Sequence, residues 1–273
     1  MTTDAGEHWL IRQSVATLWP AFDEHFVAWQ SHSGESFASP TAAPTAALTP
    51  TNRASARAQR YAAEVDALAH SLPRGTLFLD LETCGLAGSA LFLIGLLRHD
   101  GKQLMLEQLL ARNYAEEQAV LHTLWQTVAQ ATLLVTFNGK SFDWPLVNDR
   151  TIYHRIDRHR IDRDSSAPAM DALPHVDVLH HARRRWRHRL PDCRLQTLER
   201  FLCGRHRSGD IVGRDIPEAY RQYVATGRLD QIQAIVHHNA LDLVTLLQLA
   251  MQLTRQQRAT IDASAPLVAD DAA

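Results

Sequence analysis

The chain is 273 residues long, 45% hydrophobic and 21% charged, with a formal net charge of −2, the profile of a soluble globular protein with room for one large or two small domains. It offers no run of about 18 uninterrupted apolar residues for a membrane span, and no basic region followed by an apolar stretch at the N-terminus for a secretory signal. Cys84, Cys193 and Cys203 are odd in number and form no CxxC pair, which fits reduced thiols in a cytoplasmic protein.

Charge is unevenly spread. Between Arg150 and Arg214 there are 15 arginines against 8 acidic residues, a local excess of seven positive charges, and Lys102 and Lys140 are the only lysines. The arginine fork matches phosphate oxygens, so this stretch suits a polyanion; a compositional bias toward arginine gives the same pattern.

In chain order, residues 8–30 read as helical, with Trp9, Leu10, Val15, Leu18, Trp19, Phe22 and Phe26 near helical spacing. Residues 31–51 are rich in Ser, Thr, Ala and Pro and read as a disordered linker. A helix is expected over 52–70, broken by Pro73-Arg-Gly75. Strands follow at 76–81, 90–98 and 103–110, with Gly101 marking a hairpin turn between the last two. A helix over about 114–130, a strand at 132–137 and a helix over about 143–156 complete this part. A polar stretch, Asp157 to Ala172, precedes a short strand around His175–Val178. The rest is expected to be helical to about residue 255, with a frayed tail. Three leading strands, then a helix and another strand, imply a mixed α/β sheet. The expected division is an N-terminal extension (1–71), a main α/β domain (72–258) and a flexible tail (259–273).

The strand Thr76-Leu-Phe-Leu-Asp80 continues into Leu81-Glu82. Asp80 and Glu82 are two apart, so both point to one face of the strand. Paired charges against a core are costly unless something positive neutralises them. A second candidate, Asp143, follows Phe137-Asn138-Gly-Lys-Ser-Phe142 at the start of a helix, where an anion is tolerated; it is equally readable as an N-cap. The third is Asp242, set in the apolar run Leu241 to Leu249, with His238 four residues earlier on the same helical face. That pair taken alone also reads as a satisfied core contact. Four carboxylates with few sulfur or imidazole neighbours favour magnesium or manganese over zinc. Two such ions can clamp attacking water and leaving oxygen in phosphodiester cleavage, with a histidine taking the proton.

Asp80-x-Glu82, Asn138-x-x-x-Phe142-Asp143 and His238-x-x-x-Asp242 together resemble the three exonuclease motifs of the DEDD family. The chain is similar, more narrowly, to its bacterial YprB-like branch, through Phe78-Leu-Asp-Leu-Glu-Thr83, Phe137 to Pro145, Asp177 to Arg183, Cys193 to Glu199 and Asp210 to Pro217. The resemblance covers about residues 72–255. It implies a ribonuclease H-like mixed β-sheet flanked by helices and 3′–5′ exonuclease chemistry on DNA or RNA. It also implies two Mg2+ or Mn2+ ions held by Asp80, Glu82, Asp143 and Asp242. The family's base is a His five residues before the final Asp or a Tyr four before it; here His237 and His238 stand at those places, and His238 is preferred, with His237 the alternative. A structure-selective endonuclease, or an inactive nucleic-acid-binding module, remains open.

Four further residues are candidate nucleic-acid contacts: Lys140, and Arg183, Arg184 and Arg187 in the basic segment His181 to Arg189. A basic run also serves as a solvated helix face. Asp177 suits either a group behind the metal ligands or a helix cap. Trp144 suits either the start of a helix or a platform for a terminal base.

Overall fold

Thr76–Thr83 (β4) is the middle of the molecule because it is apolar on both faces until Asp80. The computed structural model describes residues 1–31, 53–85, 88–161 and 173–264. Among the described residues, β4 is hydrogen-bonded antiparallel to Leu91–His99 (β5), which pairs antiparallel with Leu104–Leu110 (β6). On its other side β4 runs parallel to Leu133–Thr136 (β7), and β7 runs parallel to His175–Asp177 (β8). The β5–β6 turn closes where Asp100 donates to the Gln103 carbonyl at 3.0 Å, with Gly101 at φ +99°. The expected mixed sheet is therefore present.

The helical spacing expected over residues 8–30 fails at its start. Trp9–Ser14 (β3) is a strand, paired antiparallel with β6 from Trp9 opposite Leu110 to Ser14 opposite Met105. The sheet order is thus β3-β6-β5-β4-β7-β8. Apolar residues at 9, 10, 15 and 18 fit either period; the open edge of β6 decides between them. Arg12 seals the pairing by meeting the buried Glu107 at 3.0 Å, which Arg98 also binds at 2.9 Å. Helices Val15–Leu18 (α1) and Phe22–Ser31 (α2) follow. Trp29 of α2 is buried and donates to Thr254 Oγ1 at 2.9 Å, so this N-terminal segment is part of the core. Before them, Thr2–Thr3 (β1) and Gly6–Glu7 (β2) form a small hairpin. The expected linker falls almost wholly outside the described residues.

The two sheet faces carry different helices. Phe78, Leu106 and Val135 face Arg53–Ser71 (α3), Val178–Trp186 (α7) and Leu229–Ser264 (α10) in one core. Leu77, Leu79, Leu109 and Leu134 face Glu117–Val128 (α4) and Ile216–Thr226 (α9) in the other. Strand alternation then places Asp80 and Glu82 with Phe78, on the α10 face. The 27-residue stretch Leu229–Arg255 is long and apolar enough to cross a membrane, but 78% of its most apolar window is buried inside the protein. It is the central helix of the first core.

Asp143–Tyr153 (α5) is three residues shorter than expected, and the polar stretch after it contains a single helical turn, Arg158–Ile161 (α6), before the residues that are not described. The C-terminal part is less continuously helical than expected. Between α7, Leu195–Leu202 (α8) and α9 lie irregular segments at 187–194 and 203–212. α10 continues to Ser264, past Arg258, where fraying was expected.

Candidate active site

Asp80 and Glu82 project from the end of β4 toward α10. Asp80 lies opposite Gly95 of β5, and a Cβ on Gly95 would stand 2.1 Å from Asn239 Oδ1. Only a glycine lets α10 come this close to the strand. The approach lets Asn239 Nδ2 donate to Asp80 Oδ2 at 2.8 Å, while Asn239 Oδ1 accepts from Gln108 Nε2 at 2.9 Å. Gln108 Nε2 in turn reaches the Val236 carbonyl at 2.7 Å. Asn239 is completely buried, so these bonds fix its orientation and that of Asp80.

Asp143 is held by a tight turn between β7 and α5. Asn138 adopts a left-handed φ of +66°, a conformation Asn tolerates better than most residues. At Gly139 any Cβ would fall 2.4 Å from Thr136. The fully buried Asp177 accepts from the backbone N–H groups of Asn138 at 2.8 Å and Lys140 at 3.1 Å, pinning the turn, and caps α7 through Leu179 N–H at 3.1 Å. The helix-cap reading of Asp177 therefore holds, and the same carboxylate also fixes the turn before Asp143. Asp143 is the first residue of α5; Phe142 occupies the cap position, so the N-cap reading of Asp143 does not apply.

Asp242 and His238 lie one turn apart on α10, with His238 Nε2 3.6 Å from Asp242 Oδ2. His238 Nδ1 meets Asp210 Oδ2 at 2.8 Å. His238 is buried, whereas its neighbour His237 is exposed. Arg207 joins three carboxylates: its guanidinium donates to Glu199 Oε2 at 2.6 Å, Asp210 Oδ2 at 3.1 Å and Asp242 Oδ1 at 2.5 Å. Glu199 is further bound by Arg205 and Thr245, both at 2.9 Å. An open cleft of about 400 Å³ borders this network, lined by Glu199, Arg200, His206, Arg207 and Asp210 among others. Glu199, Arg207, Asp210 and Asn239 were not singled out from sequence as site residues. The first three lie in or beside the segments Cys193–Glu199 and Asp210–Pro217, which carried a family signal but no chemical one.

The electrostatics show that these carboxylates share one region. Burial raises the Asp80 carboxyl well above its usual value, and Asp242, Glu82 and Asp143 add to the rise. Burial likewise raises Glu82, reinforced by Asp242, Asp143 and Asp210. Asp143 is pushed up to about 7 by burial, against the pull of the backbone N–H groups of Asp143 and Leu81. Asp242 is also raised by burial, although Arg207 and His238 oppose the rise. Half-buried like charges that raise one another in this way favour a cation. Asp210 Oδ1 is a further buried oxygen with no hydrogen-bond partner. An all-oxygen donor set fits magnesium or manganese. Among the described residues no three acidic, histidine or cysteine side chains are already drawn together around one point. The carboxylates repel one another, and Asp242 leans to Arg207.

The remaining candidates are placed differently. Lys140 Nζ turns to Glu64 Oε1 of α3 at 3.0 Å. Arg183, Arg184 and Arg187 are exposed on or just beyond α7, with Arg187 donating to the His188 ring at 2.9 Å. Trp144 packs edge-on against Trp125 at 5.4 Å, shaping the start of α5. Burial pushes the Cys84 thiol up to about 11, which makes it a poor nucleophile.

A family model described as the RNase_H superfamily matches residues 77–254, which include all four carboxylates. YprB of Bacillus subtilis (strain 168), an uncharacterised protein, is 32% identical over 182 residues, or 66% of this chain and 42% of its own length. The chain thus spans less than half of that relative. A family B DNA polymerase from the hyperthermophilic archaeon Pyrobaculum calidifontis superposes with a TM-score of 0.52 at 18% identity, over 65% of this chain and 24% of the polymerase. At that identity the likeness concerns the fold.

Proposed function

This chain belongs to the RNase H superfamily, and on that premise we propose that it is a metal-dependent 3′–5′ exonuclease of the YprB-like branch, acting on nucleic acid. What supports the reading is that Asp80 and Glu82 at a strand end, Asp143 at a helix start and Asp242 on a second helix are half-buried and near enough for Asp242, Glu82 and Asp143 all to raise the Asp80 carboxyl, beyond the rise from its own desolvation. These four would hold two magnesium or manganese ions. When bound, such ions supply positive charge beside the scissile phosphodiester and its attacking water.

The chain's own groups divide the remaining work. His238 is the base: Asp210 at Nδ1 makes that nitrogen the donor and leaves Nε2, beside Asp242, to accept a proton from water. The attack breaks the bond from phosphorus to the 3′ oxygen of the preceding nucleotide and releases a nucleoside 5′-monophosphate. Asn239 and Gln108 hold Asp80, and Asp177 holds the turn before Asp143, whereas Asp242 would have to leave Arg207 to reach an ion.

The test uses end-labelled DNA and RNA strands with manganese. Asp80→Ala and Asp143→Ala should each abolish cleavage while leaving the fold intact; undiminished cleavage in either overturns the assignment. A blocked 3′ end should stall the enzyme, and cleavage past the block would indicate an endonuclease. The Arg207–Asp242 pair favours one second reading, a nucleic-acid-binding module without catalysis, because Arg207 already supplies a positive charge at Asp242. Absence of heat on titration with millimolar manganese would support that reading.

A further inference from the structure

A groove of about 340 Å³ lies between α3 and α7, lined by Tyr61 and Val65 of α3, His181, Arg184 and Arg185 of α7, and Leu253 of α10. Tyr61 is its organising post. The Arg184 guanidinium stands 5.0 Å from the centre of the Tyr61 ring and that of Arg57 stands 5.5 Å from it. Arg57 also donates to the Tyr61 hydroxyl at 3.1 Å. His181 meets the ring edge at 5.1 Å. Two guanidiniums are thus held by an aromatic ring and not by acids, which keeps their charge available while limiting their motion. Arg57, Arg184 and Arg185 are exposed, and among the described residues no carboxylate pairs with any of them. Elsewhere the exposed Arg214, Arg221 and Arg228 are paired, with Asp215, Glu218 and Asp230.

The groove is mechanically joined to the acidic site. Glu64 of α3 bridges Lys140 at 3.0 Å, on the turn that carries Asp143, and His181 at 2.9 Å, in the groove wall. Burial works against the Glu64 charge, but the bonds to His181 and Lys140 prevail and hold its carboxyl down to about 2. α3 lies outside the segment matched by the superfamily model, so this surface is an addition made by the N-terminal part of the chain.

We propose that the α3–α7 groove is a second nucleic-acid site, in which Arg57 and Arg184, ordered around Tyr61, and Arg185 in the groove wall bind consecutive backbone phosphates of a single strand. The ring faces are shared with the guanidiniums, so the groove reads phosphates and not bases; DNA and RNA present the same chemistry to it. This site rests on the nucleic-acid side of the reading above, and it is separable from catalysis because binding is measured with the metal removed.

The test is fluorescence anisotropy of 5′-labelled single strands, DNA in one arm and RNA in the other, with the full chain in EDTA across a salt series. Each phosphate neutralised on a single strand contributes about 0.7 to the slope of log affinity against log salt. The triple variant R57Q/R184Q/R185Q should therefore weaken binding and lower that slope by about 2 in at least one arm. R214Q/R221Q/R228Q, which removes as much charge elsewhere, should change the slope by less than about half as much. Tyr61→Ala should weaken binding several-fold with the slope kept, and Tyr61→Phe should bind nearly as the parent does. Equal losses in the two triple variants, or an unchanged slope in R57Q/R184Q/R185Q with both strands, would overturn the proposal. Loss of groove binding in a chain that still cleaves, or groove binding in a chain that never cleaves, tells failure of one reading from failure of the other.

Discussion

Gly95→Ala is the sharpest probe of how the site is held. The added methyl would lie 2.1 Å from Asn239 Oδ1, 2.8 Å from Asn239 Cγ and 2.7 Å from Leu243 Cδ1. Neither neighbour can step aside: both are fully buried, and the Asn239 amide is bonded to Asp80 on one side and Gln108 on the other. Overpacking of this kind costs about 1–3 kcal/mol, and displacing Asn239 from its buried bonds adds about 1–3 kcal/mol. The expected loss is about 2–6 kcal/mol, which for a chain of this size lowers Tm by on the order of 10 °C. Asn239→Ala alone should also destabilise, because it strips Asp80 and Gln108 of a partner. Combining the two removes the worst contact, so the double variant should lose at least about 1 kcal/mol less than the sum of the singles. Urea unfolding of the four proteins measures this cycle. A Gly95→Ala loss below about 0.5 kcal/mol, or strict additivity, would refute the close approach of α10 to β5.

Asp80→Asn removes one charge from the repelling cluster, so in EDTA its Tm should equal or exceed that of the parent; the Tm rise on adding manganese should disappear, as scanning fluorimetry would show. Asp80, Glu82 and Asp143 bind protons more readily folded than unfolded, so the folded state holds more protons between about pH 4 and the Asp143 value of about 7. Metal-free stability should therefore fall as pH rises through that window, by about 1.4 kcal/mol per unit for each fully shifted group. Glu64 acts in the opposite sense: its contribution is present above its unfolded value and is lost as pH falls toward about 2. Urea midpoints that rise from pH 5 to 7 in EDTA would contradict the crowding of the carboxylates. Arg207→Met removes the guanidinium that Glu199, Asp210 and Asp242 share, leaving Arg205 and His238 as their remaining cationic partners, and should cost about 3–5 kcal/mol, measured by the same unfolding. Trp29→Ala should cost about 3–5 kcal/mol if the N-terminal segment is core, and under 1 kcal/mol if it is a loose appendage.

Strand and helix order from Thr76 onward was legible because its signals are local. Apolar runs of four to eight residues, a Gly at a hairpin and a turn opened by Asn138-Gly139 specify those elements without reference to the rest of the chain. The four carboxylates stood out for a related reason: an acid inside an apolar segment is conspicuous in one dimension because it is costly in three. Trp9–Ser14 was misread as helix because its identity depends on the open edge of β6, nearly a hundred residues away in sequence. That His238 is buried against Asp210 while His237 is exposed depends on which side of α10 faces the loop of Asp210, and their adjacent positions in the chain carry no such information.

Sequence alone determined the mixed sheet, the one-face placement of Asp80 and Glu82 through strand alternation, and the all-carboxylate character of the candidate site. Only the tertiary structure decided what surrounds those acids. It brought Arg207 and Asp210 from an irregular loop onto Asp242 and His238, set Asn239 against Asp80 through the gap left at Gly95, and folded α3 against α7 to order arginines around Tyr61. These are contacts between residues 28 to 159 positions apart. Their energies arise from burial and close approach, which no local run of residues encodes.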